Sequence, residues 1–242
     1  MAEIKVPYQV QGRSFEGVIV YDDSLKDKRP VIFMQPDWKG VCADTIGQAH
    51  TAAGSDYVVL MADMFGRGYG DKPKTPQELR AGMSAVHQDL AFTIACGAAA
   101  SDALLAEANK RGLIDAGKKK AAIGYCAGGG FVLEQARAGA DFQAVVVFHV
   151  TNPNPVAPGT PCNIKGRVLA IHGADDPVTP KPMMDAFEEE MTKASIDWQV
   201  TMFGGAVHSF CDPTVHAGPT RYDEKLCRQS YRLMRDFFAE TL

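Results

Sequence analysis

From residue 57 onward the chain repeats one pattern, a short apolar run of strand length followed by a stretch of helical composition. The runs lie at 57–62, 121–124, 144–148, 167–171 and 198–203, and the helical stretches at 76–109, 128–137, 182–194 and 220–238. Strands that alternate with helices close most readily as a mostly parallel sheet covered on both faces. Continuous apolar runs, with no polar alternation, are what strands buried on both faces require. Upstream, 15–21 and 30–34 read as strands joined by a polar turn at 22–29, with a short helix at 45–53 after them. That turn is too short for a parallel crossover, so these two strands are expected to pair antiparallel at an edge. Gly82 and Gly97 are the expected places for a break in 76–109. No shift in composition marks a boundary, so 1–242 reads as a single α/β domain with a central sheet of about eight strands.

Charge and cysteine usage narrow the partners. The net charge is −4 and the only basic run is Lys118-Lys119-Lys120, which is not the basic face a nucleic acid needs. The N-terminus has no apolar core of signal-peptide length. The apolar runs are strand-sized, short of the roughly 20 residues of a membrane helix. The reading is therefore a cytoplasmic protein, a monomer or small homo-oligomer, with no nucleic-acid or membrane partner. The cysteines at 42, 96, 126, 162, 211 and 227 include no CxxC pair. That argues against a zinc cage or redox pair and for free thiols.

One cysteine stands apart. Gly124-Tyr125-Cys126-Ala127-Gly128 follows an apolar strand and precedes a helix, the setting of a G-x-nucleophile-x-G elbow. A nucleophile on so sharp a turn has strained backbone angles, and glycine two positions either side removes the collisions. The turn also sets Cys126 at a helix N-terminus, which favours a thiolate. Gly129 and Gly130 would let the helix approach the sheet closely. A phosphate-cradling loop would use such glycines too, but the Lys-Ser/Thr that completes it is missing.

An elbow of this kind is followed in the chain first by an acid and then by a base. His172-Gly173-Ala174-Asp175-Asp176-Pro177-Val178 places two adjacent aspartates on a loop after a strand. Asp176 is favoured because Pro177 fixes the backbone after it, with Asp175 as the alternate. Gly204-Gly205-Ala206-Val207-His208-Ser209-Phe210 supplies the histidine. His50, His87 and His216 suit surface or packing roles, His149 a hydrogen-bonded structural role, and His172 a brace for the acid loop. A free thiol is mostly protonated at neutral pH, so His208 would take its proton while Asp176 fixes the imidazole tautomer. An oxyanion needs two preorganised N–H donors. Ala127 would supply one, and the loop Gln35-Pro36-Asp37-Trp38-Lys39-Gly40-Val41 the other, with Trp38 the chosen donor.

GYCAGG, HGADDPV and VHSF, in this order and spacing, resemble the dienelactone hydrolase family. The likeness extends to PDWKGV, similar to the family's E-x-x-G-V/L loop, and to Asp63-Met64-Phe65-Gly66-Arg67, similar to its D-L-Y-x-R, and covers about residues 14 to 240. The resemblance implies an α/β-hydrolase fold. It also implies hydrolysis of a small ester or lactone through a thioester acyl-enzyme, carboxymethylenebutenolidase-like, without metal or cofactor. The family's thiol-contacting glutamate falls on Asp37, one methylene shorter. Arg67 matches a family arginine that binds the substrate carboxylate, and Tyr125 joins these two as a candidate substrate- or thiol-contacting residue. The family's second such arginine falls on Asp212, which turns the expectation from an anionic dienelactone toward a less charged ester, lactone or organophosphate triester. The competing readings are a non-catalytic binding member of the fold and a thiol redox sensor built on Cys126.

Overall fold

A computed structural model describes residues 1–115, 117, 119–157 and 159–242. Lys118 of the basic run lies outside the described residues, as do Ala116 and Pro158. The chain divides into two compact units, Met1–Lys120 and Ala121–Leu242.

The first unit opens with an antiparallel hairpin of β1 (Ala2–Val10) and β2 (Arg13–Tyr21). Gln11 and Gly12 turn it at φ 50° and 77°, the positive pair that a two-residue I′ turn requires. The sequence reading passes over β1, although Val6, Tyr8 and Val10 alternate with Lys5, Pro7 and Gln9 and only the former set is buried. Pro7 is compatible with an edge strand, which has one unpaired side.

The expected pairing of 15–21 with 30–34 does not form. β4 (Val58–Met61) lies between them, antiparallel to β2 and parallel to β3 (Val31–Gln35). β3 and β4 are buried at every position, and strands of that kind pair in parallel through a crossover helix, here α1 (Ala43–Ala53).

The break in 76–109 falls at neither glycine. α2 (Pro76–Gln88) begins at a Thr75/Glu78 capping box. α3 (Leu90–Lys110) begins where the Asp89 carboxylate accepts the Phe92 N–H at 2.9 Å. By length and composition α3 could cross a membrane, an apolar stretch longer than the sequence reading allowed for. Its stripe of Phe92, Cys96, Ala100, Leu104 and Ala108 is buried, and the helix packs on β1, β2 and β4.

In the second unit β5 (Lys120–Tyr125), β6 (Ala144–Phe148), β7 (Arg167–Gly173) and β8 (Trp198–Phe203) are parallel neighbours in chain order. All four carboxyl ends therefore emerge along one sheet edge, where ligands of open α/β sheets bind. α4 (Ala127–Arg137) is buried at every residue. A Cβ on Gly129 or Gly130 would lie 2.8 Å from Val150 Cγ2 or 2.6 Å from the Thr151 carbonyl oxygen, so a larger residue at either would push the helix off the segment after β6. α5 (Lys181–Lys193) joins β7 to β8. α6 (Glu224–Ala239) buries Cys227, Tyr231, Met234 and Phe238, and begins at an Asp223 cap rather than at 220. Two of the expected free thiols are paired, in a Cys211–Cys227 disulfide. Sequence spacing gave no sign of it because the loop after His208 folds back onto α6.

Candidate active site

Each of the four parallel strands of the second unit delivers one polar side chain from its carboxyl end: Cys126 after β5, Thr151 after β6, Asp176 after β7 and His208 after β8. Cys126 adopts φ 52° and ψ −118°, a conformation that costs a non-glycine residue about 1–3 kcal/mol. Backbone bonds hold it there. Its N–H donates to the Phe148 carbonyl at 3.1 Å, and its own carbonyl accepts from Gly129 and Thr151 N–H at 3.1 and 2.9 Å. The flanking glycine is required by space, since a Cβ on Gly124 would stand 2.4 Å from the Gly128 carbonyl oxygen. Ala127 is the first residue of α4, so its N–H is among those with no acceptor inside the helix.

His208 lies between sulfur and carboxylate. Its Nε2 is 3.1 Å from Cys126 Sγ, and its Nδ1–H donates to Asp176 Oδ2 at 2.7 Å. Asp176 Oδ1 is committed to its own loop, accepting from Val178 and Thr179 N–H at 2.8 and 3.0 Å. Of the two candidate aspartates it is Asp176 that reaches the imidazole, while Asp175 is exposed. Burial disfavours a charged His208, but the Cys126 sulfur and the Asp176 carboxylate outweigh it and raise the imidazole to about 10. Burial likewise pulls the Asp176 carboxyl upward, and the His208 hydrogen bond and charge overcome it to hold the group below the usual range.

Two more histidines stand close by. His149 is fully buried, edge-on to His208 and to Phe210 with ring centroids 5.2 Å away in each case. Neither of its ring nitrogens has a hydrogen-bond partner among the described residues, contrary to the hydrogen-bonded role expected. Burial and then the neighbouring His208 charge push it well below the ordinary imidazole range. His172 Nε2–H donates to the Thr179 carbonyl at 2.8 Å and so braces the turn that carries Asp176.

Sequence reasoning did not single out Thr151. Its hydroxyl lies 3.3 Å from Cys126 Sγ and 3.4 Å from His208 Nε2. The available signal was positional, a hydroxyl residue just past the carboxyl end of a parallel strand.

The remaining predicted residues are placed less directly. Tyr125 is a correction. It is fully buried, stacked on Phe148, with its hydroxyl 2.9 Å from that of Tyr231 on α6. Alternation along β5 turns it away from its neighbour, so its side chain serves the core. Asp37 and the half-buried Trp38 lie on the β3–α1 turn of the first unit. There the Asp37 carboxylate accepts the Lys39 N–H at 2.8 Å. Arg67, also in the first unit, is exposed and pairs with Glu16 at 3.1 Å. Asp212 is buried, its Oδ1 accepting from the Thr214 N–H and hydroxyl at 3.0 and 2.6 Å.

The sequence model of the dienelactone hydrolase family matches residues 15–242. The chain belongs to that family. A solved structure named m3DLH is 33% identical with a TM-score of 0.89, over 100% of this chain and 98% of its own. A dienelactone hydrolase-like promiscuous phosphotriesterase from metagenomic libraries is 32% identical with a TM-score of 0.88, over 99% of this chain and 98% of its own. An esterase of Thermogutta terrifontis, 18% identical over 98% of this chain and 94% of its own with a TM-score of 0.65, shares the fold. An uncharacterized Caenorhabditis elegans protein is 32% identical over 51% of this chain and 80% of its own. This dienelactone hydrolase family member therefore has the α/β-hydrolase fold, with a mixed, mostly parallel arrangement of strands, and is a hydrolase of small molecules.

Proposed function

We propose that the protein hydrolyses small, uncharged carboxylic esters or lactones with Cys126 as nucleophile, His208 as base and Asp176 as its orienting acid. The observation that carries this reading is the continuous relay from Sγ through Nε2 and Nδ1 to Oδ2, with steps of 3.1 and 2.7 Å. In this mechanism the thiol proton passes to His208 Nε2 and the thiolate attacks the carbonyl carbon. The Ala127 N–H, at the start of α4, is a donor for the oxyanion. Collapse expels the alcohol, which takes the Nε2 proton, and leaves a thioester on Cys126. Water, deprotonated by His208, attacks that thioester and frees the acid and the thiol.

Two placements support an uncharged substrate. Arg67 is already ion-paired with Glu16, and Asp212 puts an anion where the family has its second arginine, so of the two cations that would recognise a carboxylate one is engaged and the other is missing. Phosphotriesters are a second substrate class, favoured by likeness to the phosphotriesterase relative, which spans the whole chain. The family match and both of these relatives cover both units, which supports reading 1–242 as one hydrolase domain.

The test is turnover of p-nitrophenyl acetate and of a p-nitrophenyl phosphotriester by wild type and Cys126→Ala. Loss of both activities in a folded Cys126→Ala protein is expected. Wild-type rates in that variant would refute the nucleophile. Stoichiometric alkylation of wild type without any turnover would favour a binding or redox role.

A further inference from the structure

Most buried side-chain hydroxyls hydrogen-bond to backbone or water rather than to other side chains. Thr179 does so, donating to the Val150 carbonyl at 2.7 Å. Thr151, the residue after Val150, does not. Among the described residues its hydroxyl meets only Cys126 Sγ at 3.3 Å and His208 Nε2 at 3.4 Å, closing a triangle whose third side is the 3.1 Å sulfur–nitrogen contact. Nor can it swing away freely. The Thr151 N–H is bonded to the Cys126 carbonyl at 2.9 Å. The chain just beyond is held to α4 by buried Arg137, which donates to the Pro153 carbonyl at 2.5 Å and to Glu134 and Glu190.

We infer that Thr151 is a positioning residue for the Cys126–His208 pair. Before attack its hydroxyl donates to the thiolate alongside the imidazolium N–H, so the sulfur is held by two donors. When the sulfur becomes bonded to carbon it ceases to be a good acceptor. Thr151 Oγ1 then accepts from the His208 Nε2–H until the departing alkoxide takes that proton. The hydroxyl keeps its own proton throughout and no bond to it is made or broken. The other titratable groups facing the pair are Asp176 behind His208, His149 from the end of β6 and His172 from β7; none of these hydrogen-bonds the sulfur. The inference rests on Cys126 being the nucleophile.

Its test compares wild type, Thr151→Val and Thr151→Ser by two readouts. One is the rate of Cys126 alkylation by iodoacetamide across pH, located by mass spectrometry. The other is kcat and KM for p-nitrophenyl acetate. Removing a hydrogen bond to a charged group is expected to lower kcat about tenfold or more, with KM little changed. The rising limb of the alkylation profile moves to higher pH, and Thr151→Ser restores both. Thr151→Ala stands in if the valine variant does not fold. A valine variant with wild-type kcat and alkylation profile overturns the inference, as does a serine variant as impaired as valine. Cys126→Ala, run in parallel, separates the two ideas. If it is inactive while valine matches wild type, only the role of Thr151 falls. If it remains active, the nucleophile assignment falls instead.

Discussion

Replacing Asp176 by asparagine changes one atom and removes one charge, and the surrounding bonds dictate how the site responds. Oδ1 holds two loop N–H groups, so the amide oxygen stays on that side and the NH2 turns toward His208 Nδ1. Two donors cannot share a 2.7 Å contact. The imidazole must then carry its proton on Nε2, where it can no longer accept one from the thiol. The lost bond is charge-assisted, a class that contributes about 1.5–3 kcal/mol. At about 1.4 kcal/mol per decade of rate, kcat/KM should fall about 10- to 150-fold. Asp175→Asn alters an exposed carboxylate and should stay within about twofold, as surface changes usually do. Initial rates on p-nitrophenyl acetate for both variants, with circular dichroism to confirm folding, decide the matter. A change of less than twofold at Asp176, or a larger loss at Asp175, would refute the reasoning.

The raised pKa of His208 carries a stability signature. Its stabilisation is fully present below the ordinary imidazole value of 6.5 and is lost as pH rises through about 10. The urea midpoint of wild type should therefore fall more between those limits than that of His208→Gln. Gly124→Ala places a Cβ against backbone atoms at 2.4 and 2.6 Å, and such overpacking costs about 1–3 kcal/mol. Its melting temperature and its Cys126 alkylation rate should both drop. Denatured wild-type protein should titrate four thiols before reduction and six after it. Cys227→Ser should lose about 3 kcal/mol of stability in chemical denaturation, the chain-entropy value for a loop near this length.

What could be read from the sequence was whatever local chemistry dictates. Cys126 sits between glycines that a sharp turn demands, Asp176 precedes a proline, and His208 follows a strand, so their order along the chain sufficed to nominate them. Bringing them within hydrogen-bond reach depends on the parallel register of β5 to β8, which the alternation of strands and helices already implied. The misses were of a different kind. β4 enters between β2 and β3 because of pairing preferences between distant segments, and β1 was hidden by a proline that an edge strand accepts. Tyr125 looked like a site residue by adjacency, but strand alternation sends its ring into the core. Thr151 carries no motif, and its meaning comes from the two atoms it touches.

The backbone at Cys126 sets up an opposition between activity and durability. At φ 52° a β-carbon is a liability, and glycine, elsewhere the less stable choice by roughly 0.5–1 kcal/mol, becomes the more comfortable one. Among inactive variants Cys126→Gly should therefore unfold at higher urea than Cys126→Ala, inverting the usual order. A population of this chain selected for thermal endurance alone would be drawn to empty the elbow of its side chain. The sulfur proposed as nucleophile and the most relaxed backbone cannot occupy the same position.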